Sequence, residues 1–183
     1  MAPAQFPLLT AVCASNRAMA ECDWTAPTLY GAYGSNLNLT QMRYRCPSAK
    51  PAGRVLVRDW RLTFQGVASI EPMKFRTLPL GLWDVSSQID RDALDSYEGF
   101  PRHYRREVMA LRCSNGKSLR VVVYLKTCGY LHQPSDRYLD SILDGYEAWK
   151  LPVAAVDQAL DDSVEEIIEP DPDLPPWSDL PPW

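Results

Sequence analysis

The sequence predicts a small α+β protein: a strongly curved, mixed, barrel-like sheet flanked by short helices. Three observations carry that expectation. Short runs of alternating apolar residues crowd the middle of the chain, between Gly53 and Lys126. Helical spacing is confined to short segments between and after those runs. No G-x-G-x-x-G turn occurs and strands do not alternate regularly with long helices, which disfavours a dinucleotide-binding sheet.

Taken in order, residues 1–27 hold no sustained period and read as an N-terminal extension ahead of a domain at 28–160. Thr28 to Tyr33 is a short β-prone run that stops at Gly34-Ser35-Asn36, a cluster suited to a tight turn. Leu39, Met42 and Arg43 then fall at helical spacing until Cys46-Pro47. Gly53 to Gln65 alternates at Val55, Val57 and again at Leu62, Phe64, predicting a strand bent near Asp59-Trp60. Val67 to Ile70 and Leu78 to Val85 read as two more strands, with no recognisable motif between Glu71 and Pro79.

Ser87-Gln88-Ile89-Asp90 resembles a capping box, and Ile89, Ala93, Leu94 and Tyr97 predict the apolar face of the helix it starts. Val108 to Cys113 and Leu119 to Lys126 are strands joined through Asn115-Gly116, whose tolerance of positive φ marks a hairpin. Ser135 is placed to cap a helix with Tyr138, Leu139, Ile142, Leu143 and Tyr146 on one face. Leu151-Pro152 ends that helix, and Pro152 can open a last one through Val156 and Leu160. The remainder, 161–183, is acidic and proline-rich and repeats Asp-Leu-Pro-Pro-Trp twice. Such a composition predicts an extended tail, whose two tryptophans either anchor a protein partner or fold back on the domain.

Composition excludes several classes. Of 183 residues 46% are apolar, and the net charge of −4 argues against nucleic-acid binding by bulk electrostatics. Five scattered cysteines without a C-x-x-C pair suggest neither a disulfide framework nor a zinc site, and point to free thiols in a reducing, cytoplasmic setting. The apolar Phe6–Ala14 run is too short, and lacks the preceding basic residue, for a secretory leader; no run approaches a membrane span. His103 and His132 lie in unrelated segments, so no metal site is expected.

Three islands can carry chemistry. Tyr30-Gly31-Ala32-Tyr33-Gly34-Ser35-Asn36-Leu37 lies between a strand and a helix start, where successive backbone N–H groups can hold an anion. Leu94-Asp95-Ser96-Tyr97-Glu98-Gly99 puts a carboxylate at a helix C-terminus beside aromatic residues, where desolvation and the helix end both raise its pKa toward that of a general base. Pro134-Ser135-Asp136-Arg137-Tyr138 opens the later helix. Taken singly, each also fits an ordinary turn, a solvated helix-end Glu or a helix cap. Arg102-His103-Tyr104-Arg105-Arg106 is the only dense basic run; as a strand it aligns Arg102, Tyr104 and Arg106 on one face, either as solvated stems or as a stripe for phosphate or an acidic leaving group.

Together, in order and spacing, these islands resemble the γ-glutamylcyclotransferase (AIG2-like) family. The likeness rests on Tyr33-Gly34-Ser35-Asn36-Leu37, on Leu94-Asp95-x-x-Glu98-Gly99 with Tyr104 six residues beyond Glu98, and on Pro134-Ser135-x-x-Tyr138 leading to Gly145 and Leu151-Pro152. Val67-Ala68-Ser69-Ile70 and Gly81-Leu82-Trp83 look like the intervening family strands. The resemblance implies a cavity that takes a γ-glutamyl group, with Tyr30, Gly31, Ala32, Tyr33, Gly34, Ser35 and Tyr138 contacting substrate and Glu98 as catalytic acid and base. It implies cyclisation of that group to 5-oxoproline with release of an amine or amino acid, without metal or cofactor. γ-Glutamyl amino acids, γ-glutamyl amines such as an isopeptide product, glutathione and γ-glutamylated secondary metabolites are all compatible substrates. A non-catalytic alternative is a protein of this fold that binds a partner through its tail or basic run. Bulky Tyr146 departs from the family's small residue and is expected to alter local packing or the pocket rim.

Overall fold

The computed structural model describes residues 2–14, 29–127 and 129–165. Among these residues six strands close into one barrel in the order β1 (Leu8–Cys13), β3 (Lys50–Phe64), β4 (Ala68–Asp84), β2 (Leu29–Ala32), β6 (Ser118–Lys126) and β5 (Tyr104–Cys113). The β1–β3 and β2–β6 pairs are parallel and the other four are antiparallel, so the expected mixed, curved sheet is present and closed.

Local chemistry sets the bends. Gly66, at φ 70°, turns the long β3–β4 hairpin. The expected bend at Asp59-Trp60 is a register shift between Arg58 and Trp60, with Asp59 at φ 60°. Opposite it, the Phe75 N–H donates to Asp59 Oδ1 at 3.1 Å. The two strands expected at 67–70 and 78–85 are thus one strand, β4, and the segment between them that carries no motif is its irregular middle. Gly116, at φ 81°, supplies the β5–β6 turn as the Asn-Gly pair predicts.

The N-terminal boundary differs from expectation. Leu8 to Val12 pair in parallel with Arg54 to Arg58, while Ala11 to Cys13 pair with Leu111 to Cys113. Part of the supposed extension therefore closes the barrel. In β1 Ala11 alone is fully buried, so its place depends on backbone ladders to both neighbours rather than on an apolar rhythm. The C-terminal boundary moves too, because the last helix runs to Glu165 and buries Ser163. The remaining residues of the expected extension and tail, including both Asp-Leu-Pro-Pro-Trp repeats, lie outside the described residues.

Among the described residues four α-helices dress the barrel: α1 (Leu39–Arg45), α2 (Gln88–Glu98), α3 (Asp136–Trp149) and α4 (Ala154–Glu165). Asn38 caps α1, accepting from the N–H groups of Thr40 and Gln41 at 3.1 Å each. Helix α2 buries the expected face only in part: Leu94 is buried and Ala93 half-buried, but Ile89 and Tyr97 are exposed while Asp90 and Arg91 turn inward. Polar contacts set that orientation. Asp90 accepts from the Ser48 N–H at 3.0 Å, and Arg91 donates to the carbonyls of Val85 and Ser86 at 2.9 and 3.0 Å. Ser135 sits at the N-cap of α3, but its side chain makes no capping bond.

Trp60, Phe64, Met109 and Tyr124 are among the large side chains sealed in the core, with Trp149 and Tyr146 of α3 joining them. Tyr146 is completely buried and does not line the cavity, which leaves local packing, not the pocket rim, as the place where its bulk acts. No helix among the described residues is long and apolar enough to cross a membrane.

Candidate active site

The loop after β2 is fixed from behind by two indoles. A one-turn helix at Ser35–Leu37 follows Gly34, and the Leu37 N–H donates back to the Gly34 carbonyl at 2.9 Å. Trp83 Nε1 donates to the Asn36 carbonyl at 3.1 Å, and Trp149 Nε1 donates to the Leu37 carbonyl at 2.9 Å. The two rings meet edge to face, 5.2 Å between centroids. Helix α3 comes this close because residue 145 is glycine: a Cβ there would lie 2.5 Å from Leu37 Cβ. At Gly34 a Cβ would stand 2.9 Å from Ala68 Cβ and 3.2 Å from the Tyr138 hydroxyl, so the loop packs onto β4 and α3 only without a side chain there.

Facing this loop, α2 delivers Glu98 from its last turn, and Gly99 at φ 64° stops the helix. Asn36 Nδ2 donates to Glu98 Oε1 at 2.6 Å and to the Tyr30 hydroxyl at 2.8 Å. Arg45 donates to Asn36 Oδ1, which fixes the amide with its NH2 toward the carboxylate. The same guanidinium donates to Gln41 and to the Tyr97 hydroxyl. Behind Glu98, Asp95 accepts from the Tyr124 hydroxyl at 2.6 Å and pairs with Arg106 at 3.3 Å.

Burial raises the Glu98 pKa to about 7; Asp95 adds to the rise, while Asn36 and Arg45 oppose it. The cavity it lines, about 270 Å³ with its open mouth included, is walled by Tyr30, Tyr33, Gly34, Ser35, Asn36, Ala68, Glu98, Tyr104 and Tyr138. Burial pushes all four tyrosines above the ordinary phenol value, so they stay neutral. Among the lining side chains, Glu98 is therefore the group able to exchange a proton near neutral pH.

Of the residues expected to hold substrate, Tyr30, Tyr33, Gly34, Ser35 and Tyr138 line this cavity together with Glu98. Gly31 and Ala32 do not. A Cβ on Gly31 would meet Val121 Cγ1 at 2.9 Å inside the barrel, and Ala32 is fully buried in β2. The Tyr33 hydroxyl donates to the Tyr124 carbonyl, whereas that of Tyr138 accepts from the Ala68 N–H at 3.1 Å.

Sequence reasoning did not assign roles to Asn36, Ala68, Tyr104 or Arg45. Asn36 and Tyr104 lay within recognised spacings. Ala68 acts through its backbone, its carbonyl accepting from the Tyr104 hydroxyl at 3.1 Å, and so has no side-chain signature. The basic run is not a free stripe, because Tyr104 faces the cavity, Arg106 pairs with Asp95 and lies 4.1 Å above the Phe100 ring, and Arg105 pairs with Glu107.

A solved structure titled "Gamma-glutamyl cyclotransferase" is 24% identical to the protein with a TM-score of 0.63, the alignment covering 72% of this chain and 85% of that one. A human structure of an uncharacterized protein, loc79017, is 25% identical at the same TM-score of 0.63 and the same 72% and 85% coverage. YkqA from Bacillus subtilis is 18% identical with a TM-score of 0.58, covering 74% of this chain and 53% of that one. No curated protein sequence matches. The sequence model described as "Gamma-glutamyl cyclotransferase, AIG2-like" matches residues 30–150, a span holding every cavity-lining residue, and the chain belongs to that family.

Proposed function

We propose that the protein cyclises the γ-glutamyl group of a small γ-glutamyl compound to 5-oxoproline and releases an amine or amino acid. The observation that carries this reading is Glu98, a carboxylate with a pKa of about 7 set in a cavity whose other ionisable groups are neutral tyrosines. The substrate supplies its own nucleophile, which accords with a site built around a proton acceptor.

In this scheme Glu98 takes a proton from the substrate α-ammonium, and the freed nitrogen attacks the γ-carbonyl carbon. As the ring closes the γ-amide C–N bond breaks. Glu98 returns its proton to the departing nitrogen, and a second proton leaves the ring nitrogen for it, so the amine departs as an ammonium with no net proton change. The first N–H groups of the Ser35–Leu37 turn lack intrahelical acceptors and suit the substrate carboxylate or the oxyanion. Tyr30 accepts from Asn36 and keeps its own proton to donate. Holding the substrate in the folded, attacking conformer is the loop's main contribution, on the order of several kcal/mol for a well-oriented intramolecular reaction. The reading extends to a cytoplasmic setting, supported by the free thiols of Cys13, Cys46 and Cys113.

The test is a mass-spectrometric panel of γ-glutamyl amino acids, γ-glutamyl amines and glutathione scored for 5-oxoproline. Release from at least one member, reduced about 10³-fold or more in Glu98→Gln with the fold intact, is the expected outcome. Near-normal turnover by Glu98→Gln would remove the assigned mechanism, and silence across the panel would remove the activity.

A further inference from the structure

Across three neighbouring strands, the outer face of the barrel carries cations without partners among the described residues. Val12 of β1 lies directly opposite Arg58 of β3 on one side and Arg112 of β5 on the other, so the three side chains share one face. Arg120 of β6 is the next diagonal neighbour, since Arg112 pairs with Ser118. Arg58, Arg112 and Arg120 are exposed and make no ion pair or hydrogen bond with any described residue. Asp and Glu are absent from β1, from β6 and from residues 108–113 of β5. Between Arg58 and Arg112 a cleft of about 470 Å³, its open mouth included, runs over Thr10, Val12 and Cys113.

The rim of this face holds a strained aromatic. Phe75 is 97% exposed at φ 65°, a backbone region that bulky residues avoid. Asp59, next to Arg58, accepts from the Phe75 N–H, and Met73 is exposed as well. A ring held in water by a strained backbone gains nothing from packing among the described residues, which marks it as a surface built for contact.

The chain carries a matching segment. Arg76, adjacent to Phe75, pairs with Asp162 of α4 at 2.8 Å, so α4 ends beside this rim. Residues 166–183 follow, outside the described residues, with five carboxylate side chains and no Lys or Arg. Their chemistry runs in the order of the face: Ile167-Ile168 first, then Glu169, Asp171 and Asp173, then Trp177. By strand rise and spacing the cleft lies within roughly 25 Å of the Arg61–Asp162 contact. The stretch from Glu165 to Trp177 spans about 37 Å when extended, enough to reach it. Indole stacks on guanidinium and carboxylate pairs with it, so the two arginines answer both parts of an Asp-Leu-Pro-Pro-Trp repeat. Tethering also gives this segment an effective concentration on the order of millimolar, which favours it over a free acidic peptide.

We propose that residues 166–183 fold back onto this face of their own chain, with Ile167-Ile168 over Phe75, carboxylates on Arg58 and Arg112, and Trp177 in the cleft. The face shares no residue with the Glu98 cavity, so this assignment does not rest on the cyclotransferase reading.

The test is fluorine NMR of the full chain with its six tryptophans replaced by 5-fluorotryptophan. Trp177→Phe identifies the resonance of interest, and a synthetic peptide of residues 166–183, labelled alike, gives its free position. In the wild type that resonance is expected away from the peptide position and unmoved by about twentyfold dilution. Arg58→Gln/Arg112→Gln should return it to the peptide position, while the resonances of Trp60, Trp83 and Trp149 hold still and report an intact fold. Asp171→Asn/Asp173→Asn, which leaves every described residue untouched, should do the same. Phe75→Asn, whose new side chain tolerates positive φ, should move it part of the way. A wild-type resonance already at the peptide position would overturn the proposal, as would a displacement that survives loss of both arginines. A displacement lost on dilution would also overturn it, assigning the segment to a second copy of the chain.

Discussion

The wall around Asn36 and the outer β3–β4 surface beneath α4 both order polar groups, but by different physics. Around Asn36 each buried polar atom meets a specific partner: Trp83 holds its carbonyl, Arg45 its amide oxygen, and Glu98 and Tyr30 its amide nitrogen. On the outer surface Asp162 receives Arg61 and Arg76 at 2.9 and 2.8 Å, and Arg61 also pairs with Glu71, whose side chain is 44% exposed. The first arrangement excludes water and fixes geometry, so each lost partner leaves an orphan. The second is a partly wet charge network whose members are screened. A protein positioning a reacting carboxylate needs the first kind, whereas anchoring a terminal helix needs only the second.

Truncating the indole behind the loop should break this contrast most strongly. Trp149→Ala removes a fully buried ring and the donor to the Leu37 carbonyl. We expect a loss of about 3–5 kcal/mol in urea unfolding, together with loss of turnover as the loop relaxes.

Next in size is the stability effect of Glu98→Gln. With a folded pKa of about 7 against an unfolded value near 4.5, the native state binds more protons across that window. Stability therefore falls as pH rises from 4.5 to 7, and the full cost of the ionised carboxylate is present above pH 7. Glu98→Gln should exceed the wild type by up to about 3 kcal/mol at pH 8, with the difference fading below the unfolded pKa. Chemical unfolding at two pH values checks this, and a wild type stabilised by its ionised Glu98 would give the opposite sign.

Asp162→Asn should do least. We expect about 1 kcal/mol or less, shrinking further in high salt, with 5-oxoproline release unaltered.

The same contrast separates what the sequence revealed from what it hid. Gly34, Glu98-Gly99 and Asn115-Gly116 were legible because a tight approach, a helix stop and a hairpin each demand particular residues at particular spacings. The bend at Asp59 was legible from a broken alternation. Strand β1 was not, because its closure of the barrel depends on backbone ladders that leave little trace in side-chain pattern. The buried face of α2 was legible at Leu94 but not at Asp90 and Arg91, which turn inward to backbone groups that no periodicity reports. Arg45 gave no sign either: it sits in the last turn of α1, and its part in orienting Asn36 exists only once α1 and α2 are packed together. Gly31 and Ala32 were placed among the substrate contacts by the family resemblance, whereas their surroundings are the interior of the barrel.

The most direct test of the central claim, that Glu98 is a buried base poised near neutrality, is the pH dependence of kcat/KM for 5-oxoproline release. Glu98 must be ionised to accept the α-ammonium proton, so kcat/KM should rise with pH through about 7 and level off above it. A profile flat from about pH 5.5 to 8, or one falling through neutrality, would contradict the account.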